Sequence, residues 1–207
     1  MSDSETGVAG IILAAGASAR MGRPKQLLPV RDGTLLGLVI KETLGSDLDK
    51  VVLVLGHEDE KIREFLSPII QHPKLEVVKN RRHRQGISSS IIAGLSALED
   101  TYDHIMILLA DMPYNNSGLI NLLLYRYLES RLPLGAVKVK EKRSHPVIFS
   151  RRIYRELHLL RGDVGARDLF LKYEDQVCLV EPENPFDDRD INTPEDYTRY
   201  QDSLEEG

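Results

Sequence analysis

The strongest constraint on this fold is a set of apolar runs that do not alternate with polar residues. Val8, Ile11, Ile12 and Leu13 form the first, Val51 to Leu55 (V-V-L-V-L) the second, and His104 to Ala110 (H-I-M-I-L-L-A) the third. A strand with one wet face alternates apolar and polar residues. Continuous β-branched runs bury both faces, which is the habit of a parallel sheet covered by helices. Between the runs lie segments of helical spacing: Leu35 to Leu44, Glu58 to Leu66, Ile87 to Leu98, and a helix N-capped by Ser117 that extends through Tyr127 and Leu128. With a further strand at Leu75 to Val78, strands and helices alternate through residue 128. The expected fold is therefore α/β: a Rossmann-like, mostly parallel sheet with helices on both faces and right-handed crossovers.

After Pro133 the pattern changes. Leu134 to Val139 and Val147 to Phe149 read as two strands around a charged turn, Lys140 to Ser144, a small antiparallel excursion. Arg151 to Leu160 and Ala166 to Lys172 read as helices and Gln176 to Val180 as a strand. Thr193 caps a last helix that has Pro194 in its first position. At 207 residues, with no repeat or low-complexity linker, residues 1–207 are expected to form one domain. Within it, about 8–130 form the alternating part and 131–207 the remainder.

The first apolar run opens into Ala14, Ala15, Gly16, Ala17 and Ser18, followed by Arg20, Gly22, Pro24 and Lys25. Small residues let backbone approach a ligand, and the cations supply charge, so the loop suits a polyphosphate. It matches neither common nucleotide fingerprint. Gly22 is followed by Arg23 where a Walker loop needs lysine, and Gly16-Ala17-Ser18 cannot supply G-x-G-x-x-G.

Ligands of open α/β sheets gather at the carboxyl ends of the parallel strands. Besides the Gly16 to Lys25 loop, such ends are predicted to carry the basic turn Arg81 to Gly86, Asp111 and, from the acidic loop Pro182 to Asp190, Asp190. Two carboxylates from distant segments can share one divalent ion, and Mg²⁺ is usually held by one or two carboxylates plus substrate phosphates. Loop cations and a metal around a triphosphate suit attack on phosphorus, driven by positioning and charge neutralisation. His83 and His145 lack metal-ligand spacing.

Composition closes other routes. A net charge of −5 argues against a nucleic acid polymer as partner. The single cysteine, Cys178, lies in a strand-like run and reads as a small buried hydrophobe. It allows no disulfide framework, which points to a reducing compartment. No apolar run approaches the roughly 18 residues of a membrane span, and Met1 to Thr6 do not look like a signal peptide. The expected location is cytoplasmic.

Taken together, the motifs resemble the MobA-like nucleotidyltransferases, and among them the molybdenum cofactor cytidylyltransferase branch. The matching stretches are L-A-A-G-A-S-A-R-M-G-R-P-K, Q-G-I-S-S-S-I-I-A-G-L at Gln85 to Leu95, A-D-M-P at Ala110 to Pro113, H-P-V-I-F at His145 to Phe149, G-D-V-G-A-R at Gly162 to Arg167, and D-I-N-T-P-E-D-Y at Asp190 to Tyr197. They run in family order over nearly the whole chain.

The resemblance implies a GT-A-like fold and transfer of CMP from CTP to molybdopterin cofactor, with release of pyrophosphate and dependence on Mg²⁺ (or Mn²⁺). By it, Leu13, Ala14, Ala15 and Gly16 line the nucleotide, and Arg20 and Lys25 bind its phosphates. Asp111 and Asp190 hold the metal. Lys25, Arg20 and Asp111 are the catalytic set. Gln85, Gly86, Ser88, Ser89 and Ser90 approach base or ribose. His145, Pro146, Gly162, Asp163, Gly165 and Arg167 lie on the acceptor side. A molybdenum hydroxylase is an implied recipient of the product.

Two residues depart from the family pattern, and the second keeps the donor base open. Ala110 stands where the family often has glycine. Asn192 stands where the cytidylyl branch often has a second aspartate, and is nearer the guanylyl branch. Ile87 and Ser88, where guanylyl relatives tend to have Pro and Leu, favour CTP over GTP. A cytidylyltransferase for another small phosphate, and a non-catalytic chaperone delivering the cofactor, are the competing readings. The H-P-V-I-F and G-D-V-G-A-R pair speaks against the first. Intact Asp111, Asp190 and Lys25 speak against the second.

Overall fold

The computed structural model describes residues 7–182 and 186–205. The main sheet is formed by β1 (Val8–Ala14), β4 (Lys50–Leu55), β5 (Leu75–Lys79), β6 (His104–Leu109), β7 (Leu134–Val139), β8 (Lys142–Ser150) and β9 (Val177–Val180). β2 (Pro29–Val30) and β3 (Gly33–Thr34) make a separate two-stranded ribbon. The seven strands lie in the order β5-β4-β1-β6-β8-β7-β9. Parallel pairing joins β5 to β4, β4 to β1, β1 to β6 and β7 to β9; β8 runs against both of its neighbours.

The unbroken apolar runs are the sheet's centre. Every residue of β1 is buried, and so is every residue of β4 after Lys50. Val8 and Ile12 face one side, against Leu36, Val39 and Ile40 of α1 (Leu35–Leu44) and Ile120, Leu123 and Tyr127 of α4 (Ser117–Ser130). Ala9, Ile11 and Leu13 face the other, against Ile91 and Leu95 of α3 (Ile87–Ser96) and, beyond them, Phe149 and Phe170. Each such aliphatic side chain contributes about 1.5–3 kcal/mol by burial. Gly94 lets α3 come down on the sheet: a Cβ there would lie 2.5 Å from Ile11 Cγ2.

A third cluster lies beside the first loop. Met21, Leu28, Val30 and Leu35 pack with Ile191, Tyr197 and Tyr200, the last two on α7 (Pro194–Glu205). Tyr197 also donates its hydroxyl to the Pro29 carbonyl at 2.5 Å. The C-terminal helix therefore holds the first loop in place.

Several local expectations are corrected. α4 is capped by Asn116, whose side chain accepts from Leu119 N–H at 2.9 Å, so Ser117 is its first residue rather than its cap. Gly86 stands at the N-cap of α3, and Ser88 to Ser90 lie in its first turn. The charged turn shrinks to Lys140 and Glu141, both at positive φ, because β8 already begins at Lys142. Residues 151–160 hold only one helical turn, α5 (Tyr154–Leu157), after a 3-10 turn at Arg151–Ile153. The short helices α2 (Asp59–Phe65) and α6 (Arg167–Lys172) fall where spacing put them. Cys178 is half-buried rather than fully buried, on a strand at the sheet's edge. Among the described residues no helix is long and apolar enough to cross a membrane.

Candidate functional site

The loop after β1 is shaped by one buried side chain that sequence reasoning passed over. Gln26 is 2% exposed. Its Nε2 donates to the carbonyls of Ala14 and Gly16, both at 3.0 Å, and its Oε1 accepts from Ser18 Oγ at 3.2 Å. Ser18 sits at positive φ and takes the Lys25 N–H on its hydroxyl at 3.1 Å. The amide thus ties both ends of the loop together and leaves Gly16, Ala17 and Arg20 at the surface. Arg20 forms no ion pair among the described residues.

Lys25 points inward from the same loop. Its ammonium pairs with the carboxylate of Asp111, just past β6, and donates to Asn192 Oδ1 at 3.1 Å. Both side chains of the pair are mostly shielded, 17% and 16% exposed. Asn192 in turn donates its Nδ2 to the Asp190 carboxylate. The backbone makes this geometry rigid: Ile191 N–H donates to the Asp111 carbonyl at 2.9 Å, which docks the Asp190 loop onto the end of β6. Residues 25, 111, 190 and 192 therefore meet in one place, at the carboxyl ends of the parallel strands. Asn192 is the residue that links them, by accepting from Lys25 and donating to Asp190.

Among the described residues no cluster of three or more His, Cys, Asp or Glu could hold a metal by itself. Two carboxylates and an amide oxygen are what remain, all hard donors. That set fits Mg²⁺ or Mn²⁺ whose other ligands are phosphate oxygens and water.

The second loop behaves differently from expectation. Asn80 donates to the hydroxyls of Ser89 and Ser90 at 2.9 and 3.0 Å, and Ser89 donates to backbone carbonyls of the turn. Those serines hold the basic turn in shape, while Gln85 is exposed beside it. Ser88 is 1% exposed, and its hydroxyl has no partner. The first amides of α3 are also engaged: Ser88 N–H donates to the Gly162 carbonyl at 3.1 Å and Ile87 N–H to Asp163 Oδ1 at 3.1 Å. Asp163, placed on the acceptor side by sequence, is thus also a cap for α3. Gly86 is required at this junction, with φ +93 and a would-be Cβ 2.4 Å from the Gly162 carbonyl carbon. The His57 and His83 rings lie 6.1 Å apart, and the His83 side chain and Ala15 close in on Gly56, where a Cβ would lie 2.6 Å from His83 Cβ.

Behind Asp111, between α3, α6 and β8, lies a cavity of about 530 Å³. His145, Asp163, Gly165 and Arg167 line it, together with apolar residues from Leu13 to Phe170. Pro146, in cis, is buried in β8. Burial pushes the His145 imidazole below its usual range, against the Ile107 backbone and Asp111, which favour the protonated ring. Its Nδ1 is sealed from solvent and has no hydrogen-bond partner among the described residues.

A sheet that brings a small-residue loop, its lysine and two carboxylates to one strand end is the arrangement a nucleotidyltransferase needs. The MobA-like NTP transferase domain model matches residues 10–177, and the chain belongs to that family. It is 29% identical to nicotine blue oxidoreductase of Paenarthrobacter nicotinovorans (93% of this chain, 95% of the relative) and 31% identical to purine catabolism protein PucB of Bacillus subtilis strain 168 (91% and 93%). It is 28% identical to molybdenum cofactor cytidylyltransferase of Escherichia coli K12 (90% and 92%). The probable molybdenum cofactor guanylyltransferase of Bacillus thuringiensis strain Al Hakam aligns at 34% identity over 47% of this chain and 46% of the relative. Among solved structures, Rv0371c of Mycobacterium tuberculosis H37Rv superposes with a TM-score of 0.83 at 26% identity (96% of this chain, 100% of that one). Its complex with manganese superposes at 0.76 with the same identity and coverage. Relatives of equal similarity bear the names of different activities, so the acceptor has to be argued from the cavity.

Proposed function

We propose that the protein transfers CMP from CTP to the terminal phosphate of molybdopterin cofactor, releasing pyrophosphate, with Mg²⁺ or Mn²⁺ as its metal. The observation that carries this reading is the meeting of Lys25, Asp111, Asn192 and Asp190 beside the loop that Gln26 holds open. In the reaction an acceptor phosphate oxygen attacks the α-phosphorus of CTP, the bond to the bridging oxygen breaks, and pyrophosphate leaves with its electrons. Lys25 and Arg20 stabilise charge on the phosphates, and the loop amides supply donors. Asp111 and Asp190, with Asn192 Oδ1, would hold the ion, which when bound neutralises the triphosphate and the departing pyrophosphate. The two wings of the site then divide the substrates: CTP lies over Leu13 to Gly16, and the acceptor enters from the cavity that holds His145.

Full-length likeness to a cytidylyltransferase, against half-length likeness to guanylyltransferases, supports CTP as donor. Manganese in the solved relative supports a divalent ion. A molybdenum hydroxylase would receive the product. The test is pyrophosphate release from CTP and from GTP, each with molybdopterin cofactor and Mg²⁺ present. Release from CTP is the expected result. Preference for GTP overturns the donor, and release from neither overturns the reaction.

A further inference from the structure

Two arginines converge on the cavity behind Asp111 with no carboxylate to balance them. Arg143, on β8, and Arg167, the first residue of α6, both line it. Neither joins an ion pair among the described residues. The one acid lining the cavity, Asp163, accepts from Ile87 N–H instead. Burial holds the Arg143 guanidinium below its ordinary range, and the charge on Arg167 lowers it further. Like charges held together without a counter-ion are costly, and an anion relieves the cost.

Arg143 is not free to swing away. Its guanidinium lies over the Phe170 ring, 4.1 Å from the centroid, a cation–π contact that fixes the fork. Below the arginines the lining is apolar, with Ile107, Val147 and Phe170. Val164 and Leu171, also in the lining, are 56% and 61% exposed and add apolar surface to it. Arg143 lies two residues before His145 on β8, and both side chains line this same cavity.

We propose that Arg143 and Arg167 are an anion clamp for the acceptor, gripping its phosphate while the acceptor's flat ring body fills the rest of the cavity. The clamp rests on the reading of this cavity as the acceptor side, and it adds Arg143 as a specificity residue that no motif marked. Arg143 holds its geometry through Phe170, so lysine is not an equivalent replacement.

The test uses phenyl phosphate, with phenol and inorganic phosphate as partial probes, titrated into the whole protein by calorimetry without nucleotide. Phenyl phosphate is expected to bind at one site, more tightly than either part. Arg143→Met and Arg167→Met should each weaken it by about tenfold, the loss of one charge-assisted contact, and added salt should weaken it in the wild type. Arg143→Lys should recover only part of the affinity. CTP binding in the same variants shows that they are folded. Affinity unmoved by both Met variants, or lost instead through Lys25→Met, overturns the clamp. So does cofactor-dependent pyrophosphate release with an unchanged acceptor KM in the double variant, and then the proposed reaction stands. Arginine-dependent phenyl phosphate binding without any release from CTP leaves the clamp standing and removes the reaction.

Discussion

Lys25→Met should improve one property of the site and ruin another. In the wild type the ammonium already occupies the place a divalent cation needs, between Asp111 and Asn192. A metal arriving without nucleotide has to displace it. A charge-assisted hydrogen bond is worth about 1.5–3 kcal/mol, and each 1.4 kcal/mol is about a factor of ten. The lysine therefore weakens metal binding to the empty site by about ten- to a hundredfold. Methionine keeps the length of the stem and removes the charge, so Mn²⁺ should bind Lys25→Met more tightly than wild type by up to that factor. Transfer from CTP should fall, since one cation facing the developing charge is worth about a hundred- to a thousandfold in rate. Free Mn²⁺ followed by electron paramagnetic resonance, and pyrophosphate release, measure the two arms. Manganese affinity that is unchanged or weaker in a folded Lys25→Met protein would refute the idea that lysine and metal compete for Asp111.

The other predictions follow from single contacts. Asp111→Asn should nearly abolish metal-dependent pyrophosphate release while circular dichroism stays native, because the Asp111 carbonyl still accepts from Ile191. Gln26→Leu leaves the Ala14 and Gly16 carbonyls without their donor; a loss of about 1–3 kcal/mol in urea unfolding and a raised KM for CTP are expected. Gly86→Ala forces a Cβ onto Gly162 at positive φ, so it should cost at least about 1–3 kcal/mol, read as a fall in Tm. Asp196 accepts from Thr193 Oγ1 and from the Asn192 and Thr193 amides, which hold its carboxyl below the ordinary range. Its stabilisation is complete above the unfolded-state value and is lost as pH falls through the lower folded one. Asp196→Ala should cost about 1 kcal/mol near neutrality, and its difference from wild type should disappear in acid.

The fold was legible because burial on both faces leaves a mark in one dimension. Val51 to Leu55 could not belong to a half-wet sheet, and it pairs with β1 and β5 on either side. The turn at Lys140 and Glu141 was less legible. Neither residue is a usual choice at positive φ, so the chain reads as though the turn were longer and β8 shorter. The helix over 151–160 fails for a related reason. Its apolar spacing is real, and Ile153, Tyr154 and Leu157 are all buried, but a single turn is enough to bury them.

Within the site, chemistry borne on short motifs could be read, and chemistry made by neighbours could not. Lys25, Asp111 and Asp190 each follow a strand or precede a helix in a way that points to a ligand. Gln26 looks like any polar residue in a turn, and only its burial against two carbonyls shows what it does. Arg143 lies in a charged stretch, K-E-K-R, that reads as a solvated hairpin end. It takes the fold of β8 against α6 to bring it over Phe170 and beside Arg167.

The segment Asp190 to Asp196 shows why such motifs resist division into structural and chemical parts. Thr193 and Asp196 form a reciprocal cap: Asp196 N–H donates to Thr193 Oγ1 at 3.2 Å, and Thr193 N–H donates to the Asp196 carboxylate at 2.9 Å. The same carboxylate takes the Asn192 N–H at 3.1 Å. Ile191, 2% exposed, anchors the preceding residue in the cluster that packs α7 on the first loop. Held at its amide by the cap and at its neighbour by the core, Asn192 has little choice but to present its side chain to Lys25. An aspartate there would accept the same hydrogen bond, but it could not donate to Asp190, and it would set three carboxylates around one lysine. The asparagine therefore suits a site in which Lys25 pairs with Asp111 while Asp190 is held by a neutral donor.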